Sequence, residues 1–219
     1  MNFSVNDSRV SRLMLRKSRI TLRGFLVTAL LLGGCASTPI HYYNLVPQSG
    51  QVHTSLAGGG IQPIEVLSPS VPELLDRDTM VRSVHSYRVE MVSGAAWSEP
   101  LGTLIGHTLA ADLGQRLPGR VIFSQNDAVT TPPKAVLALS ISRFDVDGNG
   151  YAVIEGILSV RRGNGFKAST RDIPVKWTSS HVTESGPNAL AASLSEGIGV
   201  IADQAAQLCE DLETMPSPS

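Results

Sequence analysis

The side chains of this 219-residue chain that could do chemistry are scattered through the sequence. The five histidines show neither the HExxH spacing nor the paired spacing typical of metal ligands. The three glycines at residues 58–60 lack the Lys-Ser/Thr pair that follows a phosphate-binding loop, and no GxSxG nucleophile motif occurs. The sequence therefore predicts no catalytic residues, no metal site and no cofactor, and we expect a protein that is not an enzyme.

Three other reactive side chains have a simpler structural explanation. Asp145 and Asp147 flank a predicted turn, where a carboxylate commonly accepts hydrogen bonds from local N–H groups, so an acid–base pair is the weaker interpretation. Cys209 lies among apolar positions of a predicted helix and has no basic neighbour in sequence. This pattern favours a buried, inert thiol over a nucleophile.

Cys35 is the one side chain whose sequence context predicts a chemical modification. The 34 residues before it carry six basic side chains and one acidic side chain. Their apolar run, residues 24–32, is about nine residues long, against the roughly 20 that a transmembrane helix needs. Residues 1–34 are therefore predicted to be an export signal, and Met14 is an alternative start because a conventional leader would begin there.

Leu32-Gly33-Gly34-Cys35 resembles the lipobox of bacterial lipoproteins. The resemblance implies that the Cys35 thiol accepts a diacylglyceryl group and that cleavage then makes Cys35 the first residue of the mature chain. Three fatty acyl chains of the palmitate kind would hold it durably in a membrane leaflet. The next residue is Ala36 and not the Asp that marks retention in the inner membrane, which implies the outer membrane. An ordinary signal peptide with an incidental cysteine is the alternative.

The charge of the chain is divided unevenly between the leader and the rest. The whole chain has 18 basic and 19 acidic residues, so residues 35–219 keep 12 basic and 18 acidic ones and a net charge of −6. A body of this charge has no global attraction for nucleic acid or for an anionic lipid surface.

The sequence after the leader predicts a short tether followed by one domain. Residues 35–39 are the predicted lipidated tether, 40–213 the domain and 214–219 a disordered tail. Strands are predicted at 40–46, 61–67, 80–92, 121–123, 135–146, 151–162 and 166–177, helices at 99–117 and 187–212, and a loop at 47–60. Turn residues join the last three strands into an antiparallel meander, and the whole pattern predicts an α/β domain with a mixed sheet and two helices.

Five short motifs occur in order along the mature chain. They are Tyr42-Tyr43-Asn44-Leu45, Ile64-Glu65-Val66, the segment 71–77 followed by Met80-Val81, Trp97-Ser98-Glu99-Pro100-Leu101, and Phe144-Asp145. This series resembles the PqiC-type auxiliary lipoproteins of ABC-type transport systems. The resemblance covers nearly all of the mature chain, and it implies a single three-layer α/β/α domain with a mixed sheet.

The resemblance also implies a function and partners. Such a lipoprotein would be a non-enzymatic accessory subunit on the periplasmic face of the outer membrane of a Gram-negative bacterium. Its partners would be an MCE-type periplasmic protein and an inner-membrane permease and ATPase, which together move lipids and maintain envelope integrity. The alternative is a periplasmic carrier that binds lipid in an apolar pocket of its own. A membrane tether would also allow assembly into a homo-oligomer.

Arg77 and Trp97 are the candidates for partner contact. Arg77 lies in the most concentrated charge cluster, directly after a proline-rich segment, where it could either face a partner or pin the loop by pairing. Trp97 could serve as an exposed contact or as a core anchor, since tryptophan is common in both places. Tyr42 and Tyr43 are neighbours on a predicted strand, so at most one of them can face the core.

Overall fold

The computed structural model describes residues 38–53, 62–85, 88–163, 168–183 and 186–214. The chain divides into two units, Met1–Pro39 and Ile40–Ser219, and the described residues from Ile40 onward belong to the second. The predicted leader, the lipobox with Cys35, and tail residues 215–219 lie outside the described residues. The expectations for these segments therefore stay predictions.

The described chain contains eight strands and two helices. In chain order these are β1 (His41–Tyr43), β2 (Ile64–Val66), β3 (Thr79–His85), β4 (Arg88–Trp97), α1 (Leu101–Arg116), β5 (Ile122–Ser124), β6 (Ala135–Val146), β7 (Tyr151–Arg162), β8 (Ser169–Val182) and α2 (Pro187–Thr214). The strands form one five-stranded sheet in the order β5-β2-β6-β7-β8 and one three-stranded sheet in the order β1-β4-β3.

The five-stranded sheet is mixed. Strand β2 pairs in parallel with both β5 and β6, whereas β6, β7 and β8 form the predicted antiparallel meander. The first hairpin turns at Asp147, whose Oδ1 accepts hydrogen bonds from the N–H groups of Asn149 (2.8 Å) and Tyr151 (2.9 Å). This confirms the turn role expected for Asp147.

The three-stranded sheet departs from the prediction. Strand β1 pairs in parallel with β4, and β3 pairs antiparallel with β4, so the single strand predicted at 80–92 is wrong and a hairpin takes its place. No strong break separates the two strands in the sequence, because residues 86–87 between them are Ser and Tyr rather than Gly, Pro, Asn or Asp. Gly94 has a φ of 69°, and the core-facing side chains of β4 shift there from Val92 to Ala95 and Trp97.

The two helices pack against each other and against the five-stranded sheet. Leucine, isoleucine and alanine side chains of both helices join the buried faces of β6 and β7 in one hydrophobic core. Pro100 precedes α1 and Pro187 is the first residue of α2, where the missing N–H of proline costs no hydrogen bond. The α/β class, the mixed sheet, the meander and the two main helices are confirmed.

Candidate functional site

The segment 46–53, which we call the strap, lies across both helices. Its backbone groups have no strand partners among the described residues, and helix side chains and a carbonyl bind four of its N–H groups instead. The N–H groups of Val46, Gln48, Gln51 and His53 donate to Ser195 Oγ (3.0 Å), Asp112 Oδ1 (2.5 Å), Asp203 Oδ1 (3.3 Å) and the Arg116 carbonyl (2.8 Å). The strap therefore has one well-defined path, although its sequence predicted a loop.

Arg116 is the centre of the contacts between strap and helices. Its side chain is only 1% exposed, and all three nitrogens of its guanidinium donate hydrogen bonds. The Nε donates to Asp203 Oδ1 at 2.6 Å, and the terminal nitrogens donate to the carbonyls of Gln48 (2.9 Å), Asp112 (3.0 Å) and Gly199 (2.8 Å). The fork of guanidinium donors thus joins the strap to α1 and α2 at one point.

Asp112 is a buried carboxyl group beside this arginine. One oxygen accepts the Gln48 N–H, and the other, Oδ2, has no hydrogen-bond partner among the described residues. Burial raises the pKa of Asp112 to about 6, although the Gln48 N–H and the Arg116 charge, 3.9 Å away, both favour the ionised form. The Asp203 carboxylate raises this pKa further. Asp112 therefore changes charge near pH 6 inside the fold.

Two glycines leave the space that this arrangement needs. A Cβ on Gly50 would overlap the Arg116 guanidinium, and a Cβ on Gly199 would lie 2.8 Å from Gln48 Cβ. At the far end of the strap, His53 Nδ1 lies 2.9 Å from Glu210 Oε2. The donors of the strap and of Arg116 are thus taken up inside the fold, so the role of this cluster is to hold the strap in place.

Sequence reasoning missed this cluster, although the sequence contains a signal for it. Asp112 and Arg116 are one helical turn apart, and both are buried on the side of α1 that also buries Ile105 and Leu109. Two opposite charges on an apolar stripe indicate a buried pair.

The proline-rich loop that carries Arg77 is well anchored at its start. Ser70 donates its N–H to the Leu139 carbonyl (3.1 Å), and its own carbonyl accepts the Ile141 N–H (2.8 Å), so it extends the sheet beside β6. Pro69 is buried against α1, where a Cβ on Gly102 would lie 2.7 Å from the Pro69 carbonyl oxygen. The base of the loop is therefore fixed by packing that requires a glycine.

The tip of the loop, by contrast, is exposed. The N–H groups of Leu75 and Asp76 donate to the Pro72 carbonyl (2.8 and 3.0 Å), which closes a tight turn. The side chains at 73, 74 and 76–78 are exposed. Arg77 forms no ion pair with another described residue, so the pairing role considered for it is not observed. Its side chain is therefore exposed at the tip of an anchored loop.

Trp97 lies in the core rather than on the surface. Its side chain is 5% exposed, and its ring centroid lies 6.3 Å from that of Phe144 at an interplanar angle of 55°. Its backbone N–H donates to the Asp78 carbonyl at 2.7 Å. Of the two roles considered for Trp97, the core anchor is the one observed, and the ring presents almost no surface to a partner.

The remaining reactive groups are paired or unreactive within the described part of the chain. Asp145 does not take the turn role expected for it: its Oδ1 accepts a hydrogen bond from Arg143 Nε at 2.7 Å and its Oδ2 accepts one from Ser83. Burial raises the pKa of Cys209 to about 12, which leaves the thiol protonated and unreactive, as predicted. The described residues contain no group of three or more potential metal ligands. His107 is partly exposed, and its Nδ1 lies 3.1 Å from Glu99 Oε2. Among the described helices, none is both long enough and apolar enough to cross a membrane.

One cleft opens between the first meander hairpin and the start of α2. It is lined by Arg82, Val92, Val146, Gly150, Thr183, Gly186, Pro187 and Leu190. Its volume of about 60 Å³ is well below the roughly 300 Å³ at which small-molecule pockets begin. This cleft therefore has no room for an acyl chain.

The fold places this chain in a class of α/β domains already seen in crystals. The crystal structure of an uncharacterised protein matches the structure of this chain with a TM-score of 0.58 and 18% sequence identity, and the match covers 78% of this chain and 98% of that chain. Protein XCC0632 from Xanthomonas campestris has a TM-score of 0.57 and 13% identity, with 80% and 99% covered. At these identities the likeness concerns the fold.

The family follows from sequence comparison. The family model for the ABC-type transport auxiliary lipoprotein component matches residues 43–206, and the chain belongs to this family. It is 27% identical over 201 residues to the intermembrane transport lipoprotein PqiC of Escherichia coli (strain K12), and equally to that of Shigella flexneri, with 89% of this chain and 100% of each relative covered. The PqiC-type resemblance is therefore confirmed, and partners of the transport-system kind follow from the family.

Proposed function

We propose that this chain is an outer-membrane lipoprotein, acylated at Cys35, that serves as a non-enzymatic accessory subunit of an ABC/MCE-type lipid transport system. The family match over residues 43–206 is the observation that carries the proposal. The lipobox-like Leu32-Gly33-Gly34-Cys35 supports the acylation, and Ala36 supports the outer membrane. The proposed domain limits are a cleaved leader at 1–34, a tether at 35–39, the working domain at 40–213 and a tail at 214–219, whose first residue, Thr214, still belongs to α2.

The exposed loop tip with Arg77 is the part of the domain that we assign to contact with an MCE-type periplasmic protein. A guanidinium without an ion-pair partner among the described residues, on a loop whose base is fixed, can bind a carboxylate of a partner with little loss of backbone conformational entropy. Trp97 contributes indirectly, because its backbone N–H holds the Asp78 carbonyl at the end of the same loop. The system as a whole would maintain the envelope barrier.

Site-specific crosslinking tests the docking assignment. A photo-crosslinking amino acid at Arg77 should capture the MCE-type protein in intact cells, whereas the same residue at Val121, which is 50% exposed, should not. Equal capture from both positions, or capture from neither while the protein is correctly localised, would contradict the proposed contact.

Two further measurements test the anchor and the role. Mass spectrometry of the mature N-terminus should find Cys35 with a thioether-linked diacylglyceryl group, and Ala36→Asp should move the protein to the inner-membrane fraction. Deletion of the gene should increase sensitivity to detergents, and the wild-type gene should restore resistance while Cys35→Ala should not. A free, unacylated secreted chain that still restores resistance would refute the proposal.

A further inference from the structure

The outer face of the three-stranded sheet carries large apolar side chains in the open. Tyr42 and Met91 are 69% and 63% exposed, and Ile40 and Val89 are 61% and 43% exposed. Most scattered apolar residues on a protein surface need no explanation, but four on one small sheet form a patch that does. We call these four residues the apolar face.

Strand pairing places the four residues on the same side of the sheet. Tyr43 and its partner Trp97 face the core, so the neighbouring pair Tyr42 and Ala96 lies on the opposite side of the sheet, where Tyr42 is exposed and Ala96 is buried. Ile40 precedes Tyr42 by two residues and alternates to the same side.

On β4, Val92 packs against the core, which turns Met91 and Val89 outward. The positive φ of Gly94 shifts the alternation, so that Ala96 is on this side as well, although it is buried. The exposed apolar side chains on this side are therefore Tyr42 from β1, Ile40 from just before it, and Val89 and Met91 from β4.

The chain enters the domain at this face. Strand β1 is parallel to β4 and begins opposite Ala95, so the start of β1 points towards the Arg88 end of β4. Ile40 is five residues from Cys35, and five extended residues span at most about 18 Å. An acylated Cys35 in a leaflet would therefore keep Ile40 and its neighbours within one tether length of the lipid headgroups.

The charged side chains beside this face are paired with one another. Arg88 forms an ion pair with Glu90 on β4. Ser83, which lies opposite Val89, donates to Asp145, and Asp145 pairs with Arg143. Arg82, which is exposed, lies opposite Glu90. The sequence after the leader has a net charge of −6, which opposes attraction to anionic lipid. A contact between this face and a membrane would therefore be apolar in nature.

We propose that the apolar face rests on the phospholipid leaflet that holds the Cys35 acyl chains, so that the domain lies against the membrane instead of hanging free from its tether. This inference rests on the proposed acylation of Cys35. Tyrosine and methionine suit the interfacial region, where apolar bodies are buried beside polar headgroups. The orientation turns the remaining surface of the domain towards the periplasm.

Fluorescence quenching in vesicles tests this orientation. The full-length lipoprotein, matured in cells, carries a Met91→Cys substitution labelled with an environment-sensitive fluorophore, and Val121→Cys is the matched control. Mature Cys35 is blocked by lipid and Cys209 is buried, so each variant takes one label. In phosphatidylcholine vesicles with a lipid-borne quencher, the label at 91 should be quenched at least about twofold more than the label at 121.

The outcomes separate the anchor from the orientation. Equal quenching of the labels at 91 and 121, in protein that floats with the vesicles, would contradict the proposed contact between the apolar face and the leaflet but not the acylation of Cys35. Protein that does not float would refute both. Quenching that requires phosphatidylglycerol or vanishes in high salt would indicate an electrostatic contact and overturn the proposal. Shielding of label 91 that depends on protein concentration and needs no vesicles would assign the face to a second copy instead.

Discussion

Two arginines of this domain show opposite uses of the same side chain. Arg116 is 1% exposed, and its donors are taken by Asp203 and by carbonyls of the strap and both helices. Arg77 is exposed at the tip of a loop and forms no ion pair with another described residue. The polar groups of the strap thus form hydrogen bonds within the domain, whereas the charged side chains of the loop tip are exposed to solvent.

The comparison distinguishes charged side chains that stabilise the fold from charged side chains that are available for binding. A buried guanidinium is tolerated only when its donors are matched, and removing it leaves buried carboxyl groups without compensation. An exposed guanidinium contributes little to folding because water competes for it. Substitutions at the two positions should therefore affect different measurements, and the following predictions test that separation.

Replacing Arg116 should have the largest effect. Arg116→Met would leave Asp112 buried without an opposite charge, leave the Gly199 and Gln48 carbonyls unpaired and release the strap. We expect a loss of about 3–5 kcal/mol in the free energy of unfolding, measured by urea denaturation. Arg116→Lys keeps the charge and loses the fork, so it should fall between the wild type and Arg116→Met. A loss below about 1 kcal/mol for Arg116→Met would mean that the strap is held by its backbone contacts alone.

Asp112 should give this cluster a pH dependence. Its pKa in the folded state, about 6, lies above the ordinary value of 3.8, so the folded protein holds a proton that the unfolded chain releases. The stabilisation is complete below pH 3.8 and is lost as the pH rises through about 6. Between these limits the wild type should lose up to about 3 kcal/mol relative to Asp112→Asn, which does not titrate.

The measurement is the unfolding free energy of both proteins across this pH range. The Asn variant keeps an oxygen that can accept the Gln48 N–H, so the difference between the two curves isolates the ionisation. Parallel curves would show that Asp112 titrates near its ordinary value, and a difference that grows with rising pH in favour of the wild type would reverse the sign of the effect.

The glycines of α1 test the packing beneath the loop. Gly102→Ala would place a methyl group 2.7 Å from the Pro69 carbonyl oxygen, and the strain should cost about 1–2 kcal/mol after the gain in helix propensity. Gly114 lies in the same helix, and a Cβ added there would meet no atom within 4 Å, so Gly114→Ala should stabilise by about 0.5–1 kcal/mol. Thermal unfolding measures the stability of both variants. If both substitutions changed stability in the same direction, the base of the loop would be free to move away from the added methyl group.

The same contrast explains what the sequence could predict. The bounds of β6 and β7 match the predicted residues 135–146 and 151–162, because alternation along each strand and the Asp147–Gly150 turn are local signals. The strap depends on partners such as Ser195, which is 149 positions from Val46. No local pattern carries information over that distance, so a segment with Pro47 and Gly50 reads as a loop even where its path is fixed.

Arg77 should show the smallest effect on stability. Arg77→Ala removes an exposed guanidinium without an observed ion pair, and we expect a change of at most about 0.5 kcal/mol in the free energy of unfolding. Arg77→Glu should be equally mild, because the loop tip keeps its turn through the Pro72 carbonyl.

Both variants should nevertheless weaken recovery of the MCE-type partner in a pull-down. The charge reversal should weaken it more than the alanine, because the reversed charge repels the carboxylate that the arginine would bind. Glu73, exposed on the same loop, provides the control: Glu73→Ala should leave both stability and recovery unchanged. Unfolding that becomes several kcal/mol easier in Arg77→Ala would place this arginine with Arg116 and remove the distinction between the two regions.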